Sequence, residues 1–211
     1  MRILFQGDSI TDCGRSRETD ANPGLGYPNL IKSQFLYEYP GEYEFFNRGI
    51  SGNRVLDLLA RMKVDMINLK PDVMSILIGV NDVWHEVCRE PERKNGVRAE
   101  LYETIYNLLI AELKAALPNL RIMIMEPFVL EASATTEHWE EFKREVTLRA
   151  EAAKAVAEKN GLEFIALQDK LDEACKKQPA EYWLVDGVHP TAAGHELIAR
   201  EWIKVFQQAQ N

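Results

Sequence analysis

The sequence predicts an α/β fold built on a parallel sheet with helices on both faces, and two observations carry that prediction. Five short apolar, partly β-branched runs recur along the 211 residues, and segments with helical periodicity lie between them. Strands that alternate with helices pair in parallel, because each crossover returns the chain to the same end of the sheet, and the covering helices let both strand faces be apolar. No repeat, low-complexity tract or linker breaks the alternation, so residues 1–211 read as a single domain. With 46% hydrophobic residues the chain can bury one sizeable core.

The strands are expected at residues 2–6, 43–48, 73–78, 121–125 and 163–166. Leu101, Ile105, Leu108, Leu109 and Leu113 share one helix face, and Pro118 closes that helix. Phe142, Val146, Ala150, Ala153 and Ala157 do the same in a charged helix ending near Gly161. A last helix starts after Pro190, with Thr191 as its N-cap and Ile198, Trp202 and Phe206 facing inward. Leu30, Phe35 and Leu36 read as core.

Composition removes several classes of function. A formal charge of −8 argues against nucleic acid as a partner, since duplex binding relies on clustered Lys and Arg. The longest apolar stretch, residues 73–80, is too short to cross a bilayer. Cys13, Cys88 and Cys175 are odd in number and lack C-x-x-C spacing, so neither a disulfide framework nor a zinc site is expected. The first strand begins almost at Met1 and leaves no room for a leader, so the reading is cytoplasmic.

The chemistry gathers around Ser9 in Gly7-Asp8-Ser9, at the carboxyl end of the first strand, where ligands bind in open α/β sheets. A serine hydroxyl needs a base to take its proton, and histidine, with a pKa of about 6.5, suits that task near neutrality. Asp186-Gly187-Val188-His189-Pro190 offers such a histidine and, three residues earlier, a carboxylate able to orient it from the same loop. Acyl transfer also needs donors for an oxyanion. The candidates are the Ser9 N–H, the N–H of Gly52 after the second strand, and the Asn81 amide after the third. No G-x-S-x-G elbow surrounds Ser9, which argues against the α/β-hydrolase fold.

Gly7-Asp8-Ser9-Ile10, Gly52, Gly79-x-Asn81-Asp82 and Asp186-x-x-His189-Pro190 resemble, in order, the four sequence blocks of the GDSL/SGNH hydrolases. The resemblance implies a three-layer α/β/α, flavodoxin-like domain with a five-stranded parallel sheet of order 2-1-3-4-5. It implies Ser9 as nucleophile, His189 as base, Asp186 as its orienter, an oxyanion hole of Ser9, Gly52 and Asn81, and no metal or other cofactor. A finer resemblance, to intracellular acetylxylan and acetyl-xylooligosaccharide esterases, rests on residues 5–15, Gly24-Leu25-Gly26-Tyr27, residues 48–53 and residues 78–84. One departure is Val185, where some of those enzymes carry an aromatic residue directly before the aspartate; here Trp183 stands two positions earlier.

The function this implies is a serine esterase that removes acetyl groups from small carbohydrate esters, xylo-oligosaccharides first, through an acyl-enzyme. Two alternatives stay open: a lysophospholipase or thioesterase with longer acyl chains, and a non-catalytic carbohydrate-binding protein. Trp84, beside the third block, and Trp183 are candidates for substrate contact. Asp8 and Asp82 read as braces of their loops, Cys13 as a structural thiol without a base of its own, and His85 and His138 as surface residues. His195 lies six residues after His189, off any shared helical face, which argues against a metal pair. Arg15, Arg17 and Glu18 read as a solvated loop; a homo-oligomer is open, with residues 15–22 as a candidate interface.

Overall fold

Five strands form one all-parallel sheet in the computed structural model, which describes residues 1–208. They are β1 (Arg2–Gly7), β2 (Glu44–Asn47), β3 (Val73–Leu77), β4 (Arg121–Met125) and β5 (Glu163–Ile165), in the order β2-β1-β3-β4-β5. The strands agree with those expected from sequence to within two residues at each end. The order reverses direction at β1, so the crevice at the carboxyl ends of β1 and β3 is the natural ligand site of this topology.

Helices α1 (Ser9–Asp12), α2 (Tyr27–Glu38), α3 (Val55–Asp65), α4 (Val80–Val87), α5 (Ala99–Ala116), α6 (Trp139–Asn160), α7 (Gln168–Cys175), α8 (Ala180–Trp183) and α9 (Ala192–Gln208) connect and cover the strands. Ile3, Phe5, Leu77 and Met125 face a core completed by Tyr27, Ile31 and Phe35 of α2 and by Ile198, Trp202 and Phe206 of α9. Leu4, Met74, Ile76 and Ile124 face the opposite core, filled from α3 and α5 by Leu58, Tyr102, Ile105 and Leu109. Adjacent strand residues thus serve opposite faces, which is why the strands are apolar throughout. The long helix α6 joins both layers, giving Phe142 to the first core and Val156 to the second.

Of the three helices expected from sequence, α5 ends two residues before Pro118 and α6 ends against Gly161. Gly161, at φ +63°, returns its N–H to the Ala157 and Glu158 carbonyls. Thr191 caps α9, its hydroxyl accepting the Gly194 N–H at 3.2 Å. Periodicity does not reveal α3, whose buried residues are only Val55 and Leu58. Nor does it reveal α1 and α8, each of four residues. Leu36, expected in the core, is 40% exposed, because Phe35 takes the inward face of α2 and its neighbour is turned about 100° away.

Candidate active site

The turn that carries Ser9 is built by the end of β1. Asp8 leaves the helical region at φ −104°, ψ −145° and accepts the Ile10 N–H on its side chain, so α1 begins at Ser9. At the first helical position the Ser9 N–H has no carbonyl to bond within α1 and stays available as a donor. Gly7 must lack a side chain here: an added Cβ would meet the Leu77 carbonyl at 2.4 Å and the Thr11 hydroxyl at 2.3 Å.

The loop between α8 and α9 brings the other two groups. Ser9 Oγ lies 2.9 Å from His189 Nε2, and His189 Nδ1 lies 2.7 Å from Asp186 Oδ2. Asp186 Oδ1 accepts the backbone N–H groups of Val188 and His189 at 2.9 and 2.8 Å, which locks the carboxylate to its own turn. The loop is pinned at its base by a Leu184–Pro190 bridge and by the Val185 N–H on the His189 carbonyl at 2.8 Å. It is also clamped from the segment after β4: the Leu130 N–H donates to the Gly187 carbonyl at 2.9 Å and the Ala134 N–H to the Asp186 carbonyl at 3.0 Å. Gly187 takes φ +97° and passes so close that a Cβ would lie 2.4 Å from the Leu130 carbonyl.

These contacts set the charges. Partial burial pushes the Asp186 carboxyl up, but the His189 ring, the two backbone N–H groups and the imidazole charge outweigh it and hold it at about 2. His189 is raised above its ordinary value, first by its bond to Asp186 and against the desolvation that lowers it. With the carboxylate ionised, Nδ1 carries the ring proton and Nε2 is free to accept from Ser9. The His189 side chain remains 44% exposed, which leaves an open path on that side of Ser9.

The ends of β2 and β3 supply the other predicted donors. Asn47, at the end of β2, is buried; its amide donates to the Thr11 and Pro23 carbonyls at 2.6 and 2.8 Å, and its oxygen accepts the Gly49 N–H at 2.8 Å. The Ile50 N–H reaches the Gly7 carbonyl at 3.1 Å, tying the Gly52 turn to the turn that carries Ser9. Gly52 takes φ +81°, a conformation that glycine adopts without strain. After β3, Gly79 at φ +140° opens α4, and Asn81 in its first turn donates one amide hydrogen to the Asn53 carbonyl at 3.2 Å. Asp82 holds the far side of this turn by accepting the Val55 N–H at the start of α3.

Trp84 places its ring 6.1 Å from that of His189 and packs edge-on against Phe142 at 5.8 Å. Trp183 instead packs against Tyr182 at 5.0 Å and borders a hollow of about 400 Å³ between α7 and α9. Val185 is 60% exposed.

Two other expectations are corrected, for His85 and for Arg15 and Arg17, and the surroundings of Cys13 gain a partner. His85 is buried, not at the surface, because the segment after α4 folds back with the Asn95 N–H on the His85 carbonyl at 3.1 Å. Burial, then the charges of Arg89 and Arg54, push its imidazole down to about 4. Cys13 does have a histidine neighbour: its sulfur lies 3.4 Å from His195 Nε2. His195 Nδ1 accepts the Tyr27 N–H at 3.1 Å, so Nε2 holds the proton and His195 is a donor to the sulfur, not its base. Arg15 and Arg17 are not merely solvated. Both donate to the Gly49 carbonyl, at 2.7 and 3.2 Å, and Arg17 also meets Asp12, whose carboxylate accepts the Ser51 N–H at 3.2 Å.

Sequence reasoning missed Asn47, Asp12 and Thr135. Asn47 had a visible signal, a polar residue closing an apolar strand. Thr135 had none, since its bond to the Leu130 carbonyl at 2.7 Å depends on a loop whose path is tertiary. Among the described residues no cluster of three or more His, Cys, Asp or Glu is arranged to hold a metal ion, and no helix is long and apolar enough to cross a membrane.

The chain is similar to proteins of known sequence and structure. The chain is 33% identical over 208 residues to an acetylxylan esterase of Geobacillus stearothermophilus, covering 96% of this chain and 92% of that one. The solved structure of the acetylxylan esterase Axe2 from that organism superposes with a TM-score of 0.85 at 34% identity, over 97% of this chain and 93% of the other. A GDSL-like lipase structure from Parabacteroides merdae superposes at 0.89 with 38% identity, over 97% and 94%. Axe2 forms with a serine, an aspartate or a histidine replaced by alanine are described as catalytic mutants, and in Axe2 that aspartate precedes the histidine by three positions. Axe2 carries a tryptophan directly before the aspartate. The model of the GDSL-like lipase/acylhydrolase family matches residues 5–197, and with that span covering the strand ends, the Ser9 turn and the Asp186–His189 loop, the chain belongs to this family.

Proposed function

We propose that this protein is a serine esterase that removes acetyl groups from small carbohydrate esters, xylo-oligosaccharides foremost, with Ser9, His189 and Asp186 as its catalytic residues. The observation that carries the reading is the unbroken relay from Ser9 Oγ to His189 Nε2 at 2.9 Å and from His189 Nδ1 to Asp186 at 2.7 Å. The acetylxylan esterase relative supports the substrate class.

In this reading His189 Nε2 takes the Ser9 proton as Oγ attacks the ester carbonyl. The oxyanion is met by the Ser9 and Gly52 N–H groups and by the second hydrogen of the Asn81 amide. His189 then gives its proton to the departing sugar hydroxyl, and the acetyl group remains on Ser9. Water enters, loses a proton to the same nitrogen and attacks the acyl carbon. Collapse releases acetate and returns the proton to Ser9. Asp186 stays ionised throughout, because a carboxyl held at about 2 does not accept the imidazolium proton near neutrality. The exposed side of His189 gives a bulky alcohol room to leave, and Trp84 beside it offers an aromatic face to a sugar ring.

Residence in the cytoplasm fits the three unpaired cysteines, Cys13, Cys88 and Cys175. The test is acetate release from acetylated xylo-oligosaccharides by wild type and by Ser9→Ala. Release that vanishes in the variant supports both nucleophile and substrate. Ser9-dependent cleavage of an aryl acetate alone keeps the chemistry and discards the sugar. Binding of the oligosaccharide without hydrolysis of either ester favours a carbohydrate-binding protein.

A further inference from the structure

The acyl-transfer steps above make no use of Asp8, although it joins β1 to the nucleophile. Its side chain is fully buried. Oδ1 accepts the Ile10 N–H at 3.0 Å and so starts α1, while Oδ2 is buried with no hydrogen-bond partner among the described residues. Capping requires one oxygen, and asparagine or serine supplies it without burying an ionisable group. The second oxygen therefore calls for a separate reason.

We propose that Asp8 is a positioning residue with two tasks: Oδ1 fixes the turn that presents Ser9, and the charge carried on the carboxyl couples to the imidazolium that forms on His189. The inference rests on the assignment of His189 as the base.

Asp8 directly precedes Ser9, whose Oγ lies 2.9 Å from His189 Nε2, so the buried carboxyl and the imidazole flank the same hydroxyl. Besides His189 of the loop before α9, the titratable groups coupled to Asp8 are Asp82 of α4, Tyr27 of α2 and Tyr102 of α5. Arg61 of α3 adds a fixed positive group nearby, on the Gly7 carbonyl at 3.2 Å. Burial pushes the Asp8 carboxyl up to about 7, against the pull of the Ile10 N–H and the His189 charge. Asp8 thus changes charge in the range where His189 works, and its ionised form in turn raises His189. Burial pushes both tyrosines up, so they stay neutral in that range. Asp82 is also pushed up by burial and, when ionised, opposes a second negative charge on Asp8. A proton entering this site is shared between two coupled groups, and neither titrates alone.

The experiment follows the imidazole Cε1 resonance of His189 against pH, identified by its absence in His189→Ala, in wild type and in Asp8→Asn. Asparagine keeps an oxygen for the Ile10 N–H and removes the charge, with an uncharged amide nitrogen in place of Oδ2. The expected result is a single-step His189 titration in Asp8→Asn with its midpoint lower by about one pH unit. The acid limb of kcat/KM for an aryl acetate should move by the same amount. An unchanged midpoint and acid limb would reduce Asp8 to a cap and overturn the proposal. The reciprocal measurement needs no Asp8 variant: the Asp8 carboxyl carbon should titrate at higher pH in His189→Ala than in wild type, and equal values would also overturn it. Neither titration involves a sugar ester. Failure of the carbohydrate assignment, read from acetate release, is therefore distinguishable from failure of the coupling.

Discussion

The backbone N–H of Val55 is shared by both carboxylate oxygens of Asp82, at 3.2 and 3.3 Å. This contact joins the start of α3, just after the Gly52 turn, to the first turn of α4, which carries Asn81. Gly52 and Asn81, the proposed oxyanion donors, follow different strands and are thereby held in one frame. Asp82→Ala should lower kcat/KM for an aryl acetate by about 10²-fold, since a misplacement of order 1 Å at the reacting groups costs that much. Asp82→Asn retains an acceptor and should recover most of the loss. Equal rates for Asp82→Ala and wild type would mean that the frame is held elsewhere.

Asn81→Ala removes a donor without disturbing the relay to Asp186. A fall in kcat of about 10²–10³ with little change in KM is expected, because the donor acts on the oxyanion more than on the ground-state ester. Steady-state kinetics with an aryl acetate reads this directly; an effect confined to KM would assign Asn81 to ground-state binding.

Gly187→Ala should disable the enzyme by moving its base. The residue sits at φ +97°, and an added Cβ would lie 2.4 Å from the Leu130 carbonyl. The strained backbone costs of order 1–3 kcal/mol, and relief by shifting the loop would carry Asp186 and His189 away from Ser9. Thermal unfolding and kcat measured together should both fall. A stable, fully active variant would contradict the clamp described between this loop and Leu130.

The pH dependences of activity and stability should run in opposite directions through the His189 titration. Activity needs neutral His189, so it is lost as pH falls through a pKa raised above about 6.5. Stability needs the sign reversed. A histidine raised in the folded state stabilises the fold fully below its unfolded value, and that contribution is lost as pH rises through the raised value. Asp186, depressed to about 2, contributes above its ordinary value near 4 and loses the contribution as pH falls through the folded value. Melting curves of wild type and His189→Ala between pH 5 and pH 9, set beside the kcat/KM profile, test this (about two units either side of neutrality spans the expected change). Parallel rather than opposed trends would place the base elsewhere.

Much of the site was legible because its chemistry is written in short blocks. Ser9 follows an apolar strand, and Asp186 stands three residues before His189, so the three candidate residues that the structure brings together could be named without a fold. The strand order, too, followed from the family's blocks, and the structure has the same order. Less legible were groups whose partners lie far along the chain. His85 looked like a surface residue until residues 88–98 were seen to fold over α4, and Cys13 looked solitary although His195, 182 positions on, donates to it. Trp84 and Trp183 were equivalent as sequence, yet the ring of the first lies 6.1 Å from that of His189 while the second packs on Tyr182.

The division has a physical cause. Apolar periodicity and the spacing of Ser9, Asp186 and His189 are local properties, set by which residues can form a strand, a turn or a short loop, and these the sequence by itself determined. Which side of the sheet edge a side chain reaches, and whether a carboxyl such as that of Asp8 is buried, depends on the packing of segments distant in the chain. Desolvation and charge coupling exist only once α1, α4 and the loop before α9 converge, and that convergence was decided by the tertiary structure alone.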